Sequence, residues 1–134
     1  MLNLSQNNVA QMAEAGYELE LVIPGTDDGT GGFIKVRGVE SKIARQFARK
    51  MLQEQVKKEA ATKSKDKNKI DFENIDDSMA RTALSRIISW RGISLDGSTE
   101  LDFTDANAMM VLLEHPWIGE QILQASNELE NFRA

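Results

Sequence analysis

The chain has 134 residues, of which 41% are hydrophobic and 28% charged, proportions that suit one globular domain and exclude two large ones. It holds no cysteine, which removes disulfides, thiolate nucleophiles and Cys-bearing zinc motifs and fits a reducing compartment. The net charge of −5 conceals a segregation: residues 1–34 carry five acids and no base, residues 35–69 twelve bases against four acids, and residues 70–134 four bases against twelve acids.

A basic middle segment can attract nucleic acid, an acidic protein, or the acidic C-terminal half of the same or another copy. The plain alternative is a solvated helix face followed by a Lys-rich linker. The N-terminus has no basic segment leading into an apolar core, and the mainly apolar run 106–113 is far short of a membrane span. A soluble protein without a signal or a membrane partner is expected.

In chain order, residues 2–14 show no clear period and read as an arm or a short helix. Over residues 17–23, Tyr17, Leu19, Leu21 and Ile23 alternate with Glu18 and Glu20, the two-residue period of a half-buried strand. Turn formers crowd residues 24–32, and residues 33–37 resume strand-like composition, which predicts a β-hairpin with a long, mobile loop. Ser41 or Glu40 opens the next helix. There Ile43, Phe47 and Met51 recur every four residues, joined by Ala44, Ala48, Leu52 and Val56, while Lys42, Arg45, Arg49, Lys50, Lys57 and Lys58 occupy the remaining faces. The polar run 62–69 reads as a frayed helix end or linker.

Downstream, Met79, Ala83, Leu84, Ile87, Ile88 and Trp90 fit a helix that begins near Asp76 to Ser78 and stops at Gly92. Asp96 and Gly97 mark a turn, and residues 101–103 a short extended piece. Thr104 suits an N-cap for a helix through Leu113, Pro116 interrupts it, and a last helix runs from about Trp117 to Phe132. The expected fold class is α+β, mainly α: an N-terminal β-hairpin, a basic amphipathic helix and a C-terminal bundle of about three helices. Residues 1–69 hold the hairpin, the basic helix and the Lys-rich linker, residues 70–134 a helical subdomain, and the two form one domain overall.

Chemical motifs are few. His115 has no second histidine or cysteine to share a metal with and reads as a helix-terminal residue suited to the dipole. Gly92, Ser94 and Asp96 resemble the nucleophile elbow G-x-S-x-G without its last glycine, and the lone histidine would have to act as base. The glycines at 29, 31 and 32 lack the Gly-Lys-Ser/Thr ending of a phosphate loop and read as a hairpin tip. The acids at 27–28 and 96–102 do not match a calcium loop and read as turns. No catalytic residue, cofactor site or metal site is expected, and hence no enzyme. Phe47 is the basic helix's one aromatic and lies on its apolar face, so base stacking is poorly served and nucleic acid is not an expected partner. The six methionines suit either a core or a surface that repacks around partners. Trp90 and Trp117 sit where helices start or stop and are expected to anchor the C-terminal core.

One resemblance gathers these pieces. Ile88, Trp90, Gly92 and Ile93, then Asp96 and Gly97, Phe103 and Thr104, Asn107, Leu112 and Leu113, Pro116, Trp117 and Ile118, Gln121 and Ile122, and finally Asn131 and Phe132 succeed one another in this order. Upstream stand a strand, Pro24 and Gly25, a second strand running into Val36, Gly38 and Ser41, and the basic helix. From residue 17 to residue 133 the chain resembles the tail assembly chaperones of long-tailed phages with non-contractile tails. It departs where Gly38, Val39, Glu40 and Ser41 replace a Gly-Asp-Ser-like junction. The resemblance implies a host-cytoplasmic protein, absent from the mature virion, that binds the tape measure protein and keeps it soluble while the tail tube assembles. It also implies that a frameshifted longer product would bring in the tail tube protein. The alternative is a minor structural protein retained in the tail. The residues expected to face a client or another copy are Ile43, Phe47, Met51 and Val56 with Lys42, Arg45, Arg49 and Lys50, and self-association is expected.

Overall fold

In the computed structural model, which describes residues 1–6, 8–61 and 72–132, the Asn8 side chain accepts from the Gln11 amide at 3.1 Å and starts α1 (Val9–Ala15). Gly16, at φ +86°, turns the chain into β1 (Tyr17–Val22). β2 (Gly29–Val36) returns antiparallel to it, and β3 (Ile87–Arg91) pairs with the far side of β2, so the order is β1-β2-β3. Tyr17, Val36 and Ile87 form one cross-strand row and Leu19, Ile34 and Trp90 another. Between them, the rows Glu18, Lys35, Ser89 and Glu20, Phe33, Arg91 face the other side, as the pleat requires.

The helices α3 (Phe72–Ser85), α4 (Asp105–Glu114) and α5 (Pro116–Asn127) cover the apolar face of the sheet, with α5 against β1 and β2 and α3 against both other helices. Leu21, Ile34, Val36 and Ile87 from the sheet meet Ala80, Ala83, Val111, Leu112, Ile118 and Ile122 in one core. The fold is α+β, mainly α, with three-stranded antiparallel sheet and a C-terminal group of three helices. Thr104 caps α4 by accepting from the Asn107 amide at 3.1 Å, and Pro116 fills the first turn of α5, where its missing N–H costs nothing. The outer sheet face is polar: Arg91 pairs with Glu18 at 2.6 Å and lies 4.0 Å from the centre of the Phe33 ring.

Four boundaries differ from the sequence reading. The helix expected to run through Trp90 ends at Ser85, and Ile87, Ile88 and Trp90 stand in a strand. A bulge explains the misreading. Val36 pairs with Ile87 and Lys35 with Ser89, which leaves Ile88 unpaired, so two isoleucines stand side by side and the run imitates helical spacing. Trp90 accordingly anchors the core from the sheet, its ring edge-on to Phe103 at 5.1 Å and its indole N–H donating to the Leu101 carbonyl at 2.8 Å. The same helix starts at Phe72 rather than near Asp76 to Ser78. Asp76 and Ser78 therefore lie beyond the first turn of α3.

The hairpin loop is shorter than expected. Ile23 N donates to Asp28 O at 2.9 Å, and Gly29, Gly31 and Gly32 belong to β2 rather than to the tip. Gly31 is needed there for its positive φ of +80°, while a Cβ on Gly32 would crowd Ile93 Cδ1 at 3.0 Å. The last helix also stops early, at Asn127. Extended backbone at Glu128 leads into a 3₁₀ turn, Leu129–Phe132, that brings Phe132 edge-on to Tyr17 at 6.3 Å. The Lys-rich run 62–69 lies outside the described residues.

One buried polar knot joins three segments. Ser126 Oγ accepts from Arg86 Nη1 at 2.9 Å and donates to the Arg37 carbonyl at 2.7 Å. Arg37 N donates to Arg86 O at 2.7 Å, and Arg37 Nη1 to Ser85 O at 2.6 Å. Ser126 and Arg86 are 1% and 8% exposed. Ser126→Ala would strand a buried carbonyl and a buried guanidinium donor together. An expected loss of about 1–3 kcal/mol follows from leaving such groups unpaired, read as a lower urea midpoint at unchanged slope. A midpoint equal to that of the wild type would show that water replaces the hydroxyl.

Candidate partner-binding groove

The basic helix is α2 (Lys42–Ala61), started by Ser41, whose buried hydroxyl accepts from the Ala44 amide at 3.3 Å. A second tether joins it to α1, where Glu14 accepts from the Lys42 amide at 3.3 Å. The helix then packs along one side of α3. Of its apolar residues with described side chains, Ala44 is buried, Phe47 and Met51 are half-buried, and Ile43, Leu52 and Val56 are 51%, 62% and 57% exposed.

Between α2 and α3 lies a groove of about 680 Å³. Ala44, Phe47, Ala48, Met51 and Leu52 form its α2 wall, Met79 and Thr82 line the α3 side, and the ion pair of Arg81 with Glu54 at 3.6 Å bridges the two. Phe47 also reaches a second hollow of about 450 Å³ on its other side, shared with Ile43, Arg37, Leu84 and Phe103. The structure thus brings Phe47 and Met51 together in the groove and Ile43 beside Phe47 in the hollow. Val56 enters neither. At 100° per residue it falls on the side of α2 that carries Arg45 and Arg49. Lys42, Arg45, Arg49 and Lys50 are exposed, and among the described residues none of them makes an ion pair.

Arg86, which the sequence reading did not single out, also lines the groove. Its hydrogen bonds all leave through Nη1, to Ser126 and, at 3.4 Å, to Asn127, and both acceptors are neutral. Its buried Nε has no partner. Burial pulls the guanidinium below its ordinary pKa, as it does that of Arg37. The available signal in the sequence was a base set inside the apolar run from Ala83 to Ile88.

The other motifs fall away from this groove. Ser94 is held in its own turn, accepting from Gly97 N at 2.8 Å and donating to Asp96 Oδ1 at 3.1 Å, while His115 sits at the junction of α4 and α5. Among the described residues no group of three or more His, Cys, Asp or Glu is placed to hold a metal, and no helix is long and apolar enough to cross a membrane.

A family model described as YdaY prophage protein matches residues 39–134. The chain belongs to that family. It is therefore a phage-derived protein, and the matched segment starts just after β2 and carries α2, the groove, Arg86 and Ser126. No curated protein and no solved structure matches the chain.

The turn at Ser94 yields a test of local order. Hydrogen bonds from Ser98, first through its amide at 2.9 Å, and then from Thr99 and Ser94 pull the Asp96 carboxyl from 3.8 down to about 2. A folded pKa below the unfolded one means that the carboxylate steadies this turn above pH 3.8 and that the contribution fades as the pH falls towards 2. Carboxyl carbon NMR should show an Asp96 midpoint near 2. A midpoint near 3.8 would show that the turn is open in solution.

Proposed function

We propose that this chain is a tail assembly chaperone that holds its phage's tape measure protein in soluble form while the tail tube assembles. The observation that carries the reading is α2, which is fixed at its N-terminal end and presents an apolar groove on one side and, on the other, exposed bases that make no ion pair among the described residues. A holdase works through such a face, because apolar surface that is only partly covered can exchange one partner for another. Methionine at 51 and 79 lets the groove walls adapt to side chains of different shape. The phage origin of the family and the likeness to tail assembly chaperones point the same way.

In this role the protein performs no catalysis and needs no cofactor. It acts in the host cytoplasm and leaves before the virion matures. Many weak sites along one long client add up, so modest affinity per copy is enough.

Co-expression with the tape measure gene of the same phage tests the reading, with the soluble client measured after centrifugation. Wild-type chain should raise the soluble fraction severalfold. Leu52→Asp, at a position 62% exposed, should abolish the effect at an unchanged melting temperature. A client that stays insoluble with wild-type chain defeats the proposal. Finding the chain in purified virions by mass spectrometry would favour a retained minor tail component instead.

A further inference from the structure

The groove contains an unmet electrostatic demand. A guanidinium buried without a carboxylate is costly, because neutral acceptors return only part of its lost hydration. Arg86 is in that position: it is 8% exposed, its acceptors are a hydroxyl and an amide oxygen, and Nε is unpartnered. Neither of the two carboxylates that line the groove supplies the missing anion. Glu54, on α2, is paired with Arg81, and Asp77, on α3, is in no ion pair with Arg86. The apolar walls around it, Phe47, Met51, Leu52 and Met79, would take the non-polar side of a helix.

We infer that the groove between α2 and α3 binds a helical segment of a partner protein whose apolar face carries one carboxylate, and that this carboxylate pairs with Arg86. This deepens the chaperone reading by naming what the site recognises in its client. Charge complementarity supports it: on the groove wall one positive charge, that of Arg86, lacks an anion, which a carboxylate on the incoming helix would supply. A charge-assisted hydrogen bond made in a water-poor groove discriminates far more than one on an open surface, so the central carboxylate sets the register of the helix.

The test uses two fluorescent helical peptides with a Leu/Ala face, identical except for one Glu or Gln at the centre of that face, titrated into full-length chain. The Glu peptide should bind about tenfold tighter, the difference expected of a charge-assisted against a neutral hydrogen bond. The preference should vanish in Arg86→Gln. Because that variant loses the bond to Ser126 and could unfold, Ala48→Trp provides a second arm: an exposed position on the groove wall, filled without touching the arginine, should weaken both peptides. Equal binding of the two peptides by the wild type overturns the inference, as does peptide binding that Ala48→Trp leaves unchanged. A groove-dependent dimer in sedimentation, broken by Ala48→Trp, would make the occupant a second copy and overturn it as well. Client solubility retained without any peptide preference removes the carboxylate contact alone, whereas a clear preference without client solubility removes the tape measure reading alone.

Discussion

The hydroxyl of Ser126 holds together parts of the chain that are far apart in sequence. It accepts from Arg86 at the start of β3 and donates to Arg37 at the end of β2, while its own carbonyl receives the Val39 amide at 3.0 Å. Strand exit, helix exit and strand entry therefore converge on one buried side chain. Ser41, which starts α2, lies just beyond it, so the direction in which α2 leaves the body depends on this knot. Polar groups this deep are costly unless all are satisfied. Here nearly all are, and the exception, Arg86 Nε, belongs to a residue that lines the groove.

How much of this was legible in the sequence follows from which signals are local. The alternation from Tyr17 to Leu21, the Thr104 cap and the proline start of α5 each depend on neighbours along the chain, and each appears where local chemistry puts it. β3 does not. Its identity depends on pairing with β2 some fifty residues earlier, and the bulge at Ile88 erases the one local clue, strict alternation. The glycines of β2 misled for a related reason: glycine signals a turn unless it serves a strand, and only the tertiary structure shows Gly31 at positive φ inside β2 and Gly32 close under Ile93.

The groove between α2 and α3 was partly legible. A period near four marked Phe47 and Met51 as one stripe, and they share the groove. Val56 was drawn into that stripe by its apolar character, although five positions after Met51 is half a turn away from it. Arg86 was invisible because a lone arginine in an apolar run reads as a helix surface residue. Only the fold shows that it lies under α2 and lacks an anion. The family match covers all these elements and omits β1 and β2, so the groove belongs to the part of the chain that defines the family.

The side-chain amide of Gln121 on α5 donates to the Val22 carbonyl at 2.9 Å and accepts from the Val22 amide at 3.0 Å, occupying the place that a neighbouring strand would take. Glu18 and Glu20 place charge along the rest of β1. Edge strands left bare are templates on which further chains can polymerise, and here the template is stopped at one end by a glutamine and guarded beyond it by like charges. Copies held close together could otherwise zip through this edge into an insoluble ribbon. With β1 blunted in this way, that edge is closed to a strand from a neighbouring copy.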